Sequence, residues 1–404
     1  MEYISRKTLL GNIAYSVIAV VFFNAILQIV IYPVLNARLG EALFGEILYL
    51  TSIVAIVAPS FGTAAGNTRL VFQNKGETKN GDYLFFLLIA CFLSVTAVII
   101  FLGVQQYSVG IIIGISIYAC LSILRCYSDI EYKLVINYKK YLIYYIVLSS
   151  GYLLGILIFY TTGNWEAVFV IGEAVVIVFA LLSCTIYGKP FVYSENKKKV
   201  FSASMVLAVS YLLSNSMVQM DRILLMNFVD GESVSQYYVV SLIGKTFALL
   251  VAPLTNVVIS YLSKDTRKIT VKKFTKLTIQ TLGISAAFFI LAVIATPVFI
   301  RLLYPNMVGL GYHLIIGANI AQVAFFAASL LLTVVLTMCT PKLQFYLQIV
   351  YVILLIVLAL LLTPRLGLWG FVITVMLANI FRLVSTIIAG YSVARHNKAE
   401  VNSL

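Results

Sequence analysis

Twelve apolar stretches succeed one another along the chain, at about 10–35, 46–72, 83–103, 109–132, 141–161, 165–188, 201–228, 237–262, 277–303, 310–338, 343–362 and 367–393. Each can cross a hydrocarbon core ~30 Å thick, which takes about 20 helical residues. Lipid offers the backbone no hydrogen-bond partner, so a spanning segment is either a helix or a strand of a closed barrel. The stretches lack the period-2 alternation of barrel strands. The sequence therefore predicts an all-α polytopic membrane protein. The overall composition agrees, with 62% hydrophobic and 11% charged residues. The opening "SRKTLL" leads into an uninterrupted span of about 25 residues, too long for the core of a cleavable signal, so the first span is expected to stay in the mature protein.

A net charge of +13 raises the question of nucleic acid, and the distribution of the bases answers it. Of the 28 Lys and Arg, twenty fall at the termini and on the even-numbered connections, including Lys75, Lys79, Lys133, Lys189, Lys197 to Lys199 and the run from Lys264 to Lys276. The odd-numbered connections hold Arg38, Arg301 and Arg365. Basic residues concentrate on cytoplasmic loops. Both termini are thus expected in the cytoplasm. The runs "ENKKKV" and "KDTRKITVKKFTK" read as topology signals and lipid-headgroup contacts, with no nucleic-acid partner. Cys91, Cys120, Cys126, Cys184 and Cys339 form no CxxC pair, and the two histidines, His313 and His396, stand far apart. Neither a metal site nor a cofactor is expected.

The stretch "GKPFVYSENKKKV" separates the sixth span from the seventh. It divides the chain into an N-terminal six-helix lobe over 1–190, a cytoplasmic linker over 191–200 and a C-terminal six-helix lobe over 201–404. A weak internal repeat supports the division: "LGEALFGEILYLTSIVAIVAP", ending at Pro59, is echoed by "DGESVSQYYVVSLIGKTFALLVAP", ending at Pro253. Parallel repeats of this kind build two-lobed transporters. The outer connections have only about four to ten residues, by the same span boundaries. They leave no room for the acidic catalytic loops of a membrane glycosyltransferase or polymerase. No catalytic residues are assigned, and an enzyme is not expected.

The remaining five bases, Arg69, Arg125, Arg222, Lys245 and Arg382, lie inside spans, as do the acids Asp129, Glu131, Glu173 and Asp221. One charge at mid-bilayer costs roughly 2.5 to 3.5 kcal/mol on insertion scales, so five bases represent on the order of 12 to 17 kcal/mol before pairing. Arg69, Asp129 and Glu131 fall near span ends, where long side chains snorkel to the interface. Asp221 adjoins Arg222, yet adjacent helical residues diverge by ~100° and cannot both face one partner. Lys245 and Arg382 lie deepest, with no acid within a helical turn. Polar residues recur at helical spacing: Asn24, Gln28, Tyr32 and Asn36; Ser210, Ser214 and Asp221; Asn215, Gln219 and Arg222; Asn319, Gln322, Ser329, Thr333 and Thr337; Asn379, Arg382 and Thr386. Any one stripe can be explained by hydrogen bonding between helices. Several stripes with an excess of bases favour a wet, cationic central cavity between the lobes and an anionic substrate. Phosphate or pyrophosphate suits the bidentate fork of Arg.

Four short motifs carry a resemblance: Asn12 at the start of the first span, "RLGEALFGE" at 38–46, "GTAAGNTRLV" at 62–71 and "MDRILLMNFVDGESVSQY" at 220–237. On these the chain resembles the Wzx-type oligosaccharide flippases of the multidrug/oligosaccharidyl-lipid/polysaccharide (MOP) exporter superfamily. The resemblance implies a bacterial cytoplasmic membrane protein with two six-helix lobes. Its activity would be translocation of a polyprenyl-pyrophosphate-linked glycan, such as a capsule or O-antigen repeat unit, to the outer leaflet by alternating access. The implied partners are that glycan, membrane lipids and other polysaccharide assembly proteins. Arg222, Lys245, Arg382, Arg125 and Arg69 become candidate substrate-binding residues. Asp221 and Glu173 are candidates for ion coupling or charge pairing, and Asn24, Gln28, Asn319 and Gln322 for polar lining. Asp221 and Arg222 stand in a matched motif, whereas Lys245 and Arg382 are assigned from their position. Lipid II flippases share the architecture but normally carry two further helices. Two alternatives stay open, a cation-coupled multidrug exporter and a membrane-embedded glycan-processing enzyme.

Overall fold

The computed structural model describes residues 6–73, 78–248, 270–336 and 341–402. Thr337, Cys339, Pro253 and the basic residues Lys75, Lys264, Arg267 and Lys268 lie outside them, as do the side chains of Lys342, His396 and Lys398. Among the described residues the regular structure is entirely helical.

The helices are α1 (Arg6–Ala25), α2 (Tyr32–Leu39), α3 (Glu41–Gln73), α4 (Asn80–Val104), α5 (Val109–Ser128), α6 (Ile130–Leu134), α7 (Tyr138–Thr162) and α8 (Glu166–Ser183), followed by α9 (Thr185–Gly188), α10 (Lys197–Phe228), α11 (Gly231–Ala248), α12 (Val271–Leu303), α13 (Tyr312–Leu336) and α14 (Pro341–Asn402). A π-helical turn, Ile26–Ile31, joins α1 to α2 without interrupting the first span. Ten helices of the described residues are long and apolar enough to cross a membrane. The last of them holds two of the expected spans. Within α14, Gly367 takes φ 57° and ψ −139°, a conformation that excludes a Cβ. The helix breaks there, three residues after Pro364, between the stretches read as 343–362 and 367–393. The chain is a multi-pass membrane protein.

Hydroxyl groups within the spans solve the problem of polar atoms in an apolar medium locally. Thr51 donates to the Ile47 carbonyl (2.8 Å), Ser60 to Ile56 (2.6 Å), Ser149 to Tyr145 (2.8 Å), Thr296 to Ala292 (2.7 Å) and Thr386 to Arg382 (2.7 Å). Ser210 and Ser214 do the same to Val206 and Ser210. A hydroxyl satisfied by its own helix needs neither a neighbour nor a wet cavity, so these members of the polar stripes carry no message about function.

The chain forms two compact units, residues 1–38 with 47–223 and residues 39–46 with 224–404. Most of α10 thus groups with the first unit, although the charged linker precedes it. In that unit α7 packs against α1 and α8, and α5 against α4 and α8. Gly151 and Gly155, four residues apart on α7, let α8 approach closely: a Cβ on Gly151 would stand 2.8 Å from the Gly172 oxygen, and one on Gly155 would stand 2.6 Å from the Val168 Cα. Small residues at this spacing permit backbone-to-backbone packing of membrane helices. In the second unit α13 packs against α11, α12 and α14.

Candidate functional site

In the first unit, the packing of α5 against α8 brings a carboxylate to a guanidinium. Glu173 is fully buried on α8, and Arg125 on α5 reaches it with Nε 2.7 Å from Oε2 and 2.9 Å from Oε1. Tyr152 of α7 donates its hydroxyl to Glu173 Oε1 at 3.1 Å, and the Tyr144 hydroxyl donates to the Arg125 backbone carbonyl at 2.9 Å. The rings of Phe169 and Phe23 stand 6.0 and 5.3 Å from that of Tyr152. The pair is neutral and hydrogen-bonded on three helices. Arg125, expected with the substrate-binding bases, here has an internal counter-ion.

Arg69, at the end of α3, is 2% exposed. Its Nε donates to Gln73 Oε1 (2.8 Å), and Nη1 donates to Asn80 Oδ1 (2.9 Å) and to the Tyr127 hydroxyl. Its guanidinium carbon lies 5.2 Å from the centre of the Tyr83 ring. Arg69 joins α3 to α4 and α5.

Asp221 and Arg222 belong to the same unit, where Asp221 Oδ1 accepts the Arg222 amide N–H at 2.9 Å. The Arg222 side chain turns toward α3, with Nη1 3.5 Å from the Leu48 carbonyl. Asn24 donates to the Val20 carbonyl of its own helix at 2.8 Å, while Gln28 sits half-buried in the π-helical turn. Such turns interrupt the i→i−4 ladder and recur at functional sites.

The second unit holds the other bases. Lys245 Nζ stands 5.2 Å from the centre of the Tyr237 ring. Gln322 Nε2 reaches the hydroxyl of the same tyrosine at 3.5 Å, and the Phe371 ring packs edge-on against it at 5.1 Å. Asn319 is fully buried, with Nδ2 donating to the Val240 carbonyl (3.1 Å) and to Ile315 O (2.8 Å). Asn319 and Gln322 therefore tie α13 to α11, the helix-bonding role the sequence left open.

Arg382 is different. On the second arm of α14 it is 9% exposed, and its Nη1 is sealed from solvent with no hydrogen-bond partner among the described residues. Two aromatic faces hold the guanidinium, with Phe325 at 4.6 Å and Tyr351 at 5.2 Å from its carbon. Phe325 lies one turn from Gln322, so the Arg382 and Lys245 groups border the same helix.

Three solved structures superpose over nearly the whole chain. The lipid II flippase MurJ in its inward closed conformation matches with a TM-score of 0.67 at 15% identity, covering 96% of this chain and 91% of its own. The MATE transporter VcmN of Vibrio cholerae, bent form, gives 0.57 at 13% identity over 97% and 98%. An inward-facing multidrug resistance MATE family transporter of the MOP superfamily gives 0.57 at 11% over 88% and 90%. The chain has the fold of these transporters, the last of which is of the MOP superfamily. No protein-family model and no curated protein matches it.

Within this fold, the structure gathers the expected residues into separate groups: Arg125 with Glu173, Arg69 with Asn80 and Tyr127, Lys245 with Gln322 around Tyr237, and Arg382 alone between rings. The tyrosines were missed as a class. Tyr127, Tyr152, Tyr237 and Tyr351 each meet an embedded charge or its partner, and the signal was the count of 26 Tyr in a chain of 404 residues. A phenol combines an apolar body with a polar tip, which suits it to carry hydrogen bonds into a dry interior.

Proposed function

We propose that the chain is a flippase that moves a polyprenyl-pyrophosphate-linked oligosaccharide from the inner to the outer leaflet of a bacterial cytoplasmic membrane by alternating access. Arg382 carries this reading. A buried guanidinium without a carboxylate is costly in a membrane, and an anionic cargo offsets that cost while it is bound. Arg recognises phosphoryl oxygens through paired, charge-assisted hydrogen bonds, and Nη1 is a donor still to be used. Lys245, in the same unit, joins Arg382 as a proposed binding base, and Arg222 is proposed as a binding base of the first unit. Arg125 and Arg69 leave it, since Glu173 neutralises the first and Gln73, Asn80 and Tyr127 occupy the second. The termini and the linker at 189–200 face the cytoplasm on the strength of the basic-residue asymmetry.

A second reading, a cation-coupled multidrug exporter, draws support from the likeness to the MATE transporters and from the buried Glu173 carboxylate, which could exchange an ion with the help of Tyr152. The embedded bases, five against four acids, weigh against a cationic cargo.

Reconstituted flipping of a fluorescent polyprenyl-pyrophosphate glycan separates the two. Charged hydrogen bonds contribute about 1.5 to 3 kcal/mol, so Arg382→Ala is expected to slow flipping roughly ten- to a hundredfold at undiminished protein level. Arg382→Lys is expected to recover only part, since an ammonium lacks the planar fork. Full flipping by well-expressed Arg382→Ala would sink the proposal, and efflux of cationic dyes by a protein inert toward the glycan would favour the exporter.

A further inference from the structure

A basic cavity lies within the first unit, at the end of α3 and the start of α4. It has a volume of about 400 Å³, an order of magnitude above the ~30 Å³ that one water occupies in the liquid. Arg69, Lys79 and Lys189 line it together with Thr78, Asn80 and Tyr83, and among the described residues no carboxylate belongs to its wall. The position is a membrane-edge one. Lys79 and Lys189 lie just outside the spans, on connections that the charge asymmetry assigns to the cytoplasm.

Arg69 makes this more than a patch of surface lysines. Its side chain is buried, and its hydrogen bonds to Gln73, Asn80 and Tyr127 go to neutral groups, leaving Nη2 without a protein acceptor among the described residues. The groups that hold it are themselves fixed. Asn80 donates through Nδ2 to the Lys189 carbonyl at 3.2 Å, which turns its Oδ1 toward the guanidinium and draws the linker over the cavity. The Gly81 amide donates to the Val192 carbonyl at 2.9 Å. The nearest carboxylate on these elements, Asp82, is committed elsewhere: it accepts the Lys79 amide (2.9 Å), the Ser194 amide (2.9 Å) and the Ser194 hydroxyl (2.6 Å). Its charge offsets one of three cations, so the described residues around the cavity keep a net positive charge.

We propose that this cavity binds a phosphoryl group at the cytoplasmic edge of the membrane, separately from the transport cargo. Arg69 contributes a preset donor at the base, Lys79 and Lys189 supply charge at the mouth, and the Thr78 hydroxyl adds a further donor. Two sources share this chemistry, the headgroup of an anionic phospholipid and a free phosphate. The proposal does not depend on the flippase reading.

The test uses the full-length protein. Native mass spectrometry after extraction from nanodiscs compares retention of phosphatidylglycerol with that of phosphatidylcholine, and calorimetric titration in chloride buffer measures binding of inorganic phosphate. Lys79→Gln/Lys189→Gln is the principal variant, because both lysines are exposed and the fold does not rest on them. Arg69→Gln is the companion if it folds. Lys272→Gln/Lys276→Gln serves as control: those lysines line another cavity of about 400 Å³, on the exposed start of α12, with no buried base. Preferential retention of phosphatidylglycerol that falls roughly tenfold in the principal variant and not in the control supports the site with a lipid occupant. Phosphate binding with the same dependence, without preference among lipids, supports the site with a free occupant. Binding of neither probe overturns the proposal, and so does an equal loss in both lysine pairs, which would reduce the effect to surface charge.

Discussion

Arg125 and Arg382 are both guanidinium groups within spanning helices, and the protein treats them in opposite ways. Arg125 meets Glu173 at 2.7 Å, with Tyr152 donating to the other carboxylate oxygen. Arg382 lies between Phe325 and Tyr351 with a sealed, unbonded Nη1. A neutral pair can persist without a ligand, because each charge answers the other. A lone cation held by ring faces recovers only part of its solvation, since one cation–π contact is worth roughly 0.5 to 2 kcal/mol. Burial alone therefore does not single out a candidate base; the proposal rests on burial with no counter-ion among the described residues.

The largest effect expected from this contrast is at Glu173. Breaking a buried ion pair from one side strands a charge and costs about 3 to 5 kcal/mol. Glu173→Gln is expected to lower the yield of folded protein and to destabilise it by that amount in detergent-driven unfolding. Removing both charges, as in Arg125→Met/Glu173→Leu, is expected to restore most of the stability, because apolar replacement of a whole pair is commonly neutral or favourable. If the double variant is as unstable as Glu173→Gln, the pair is not what these side chains contribute. If it is stable but inactive, Glu173 belongs to the transport cycle as well.

At Arg382 the sign reverses. Replacing a base without a counter-ion by Leu removes an insertion cost of about 2.5 to 3.5 kcal/mol, less the two ring contacts. Arg382→Leu is expected to gain on the order of 1 to 2 kcal/mol in the same unfolding measurement while losing transport. A destabilised Arg382→Leu would place this residue alongside Arg125 as a structural base and erase the contrast.

Much of this architecture could be read from the sequence, because length and apolarity alone decide what a membrane accepts. The break at Gly367 fell between two stretches already separated, with Pro364 and Gly367 as visible signals. The partners of the embedded charges were harder to see. Arg125 and Glu173 are 48 residues apart, and it is the packing of α5 against α8 that brings that carboxylate within reach. Counting acids within a helical turn, which singled out Lys245 and Arg382, could not find a partner on another helix. Around Arg382 the neighbouring helices offer rings, Phe325 and Tyr351. The partners of Arg69 were equally hard to see, because Tyr127 and Asn80 stand on other helices and the contacts depend on helix ends meeting in space.

A smaller effect is expected at the tyrosine that serves the pair. Tyr152→Phe removes the donor to Glu173 Oε1 and keeps the ring, so the Phe169 and Phe23 contacts survive. One hydrogen bond to a charged group is worth about 1.5 to 3 kcal/mol at most, and Arg125 still holds the carboxylate. A loss of about 1 kcal/mol is therefore expected. A loss as large as that of Glu173→Gln would mean that the phenol, not the guanidinium, is the principal partner of the carboxylate.

The smallest effect belongs to a second ion pair. Lys133 meets Asp129 at 3.0 Å, one helical turn apart, with side chains 29% and 17% exposed. Water reaches both groups, so neither is stranded when the other is removed, and pairs at this spacing contribute roughly 0.3 to 0.5 kcal/mol. Asp129→Asn is expected to shift stability by no more than that, with a smaller shift at high salt, where screening weakens a partly exposed pair but hardly touches a buried one. Glu173→Gln should show no such dependence on salt. If Asp129→Asn proves as costly as Glu173→Gln, and equally insensitive to salt, then the end of α5 is as dry as its middle, and the distinction between buried and edge charges that separates Arg125 from Lys133 would have to be abandoned.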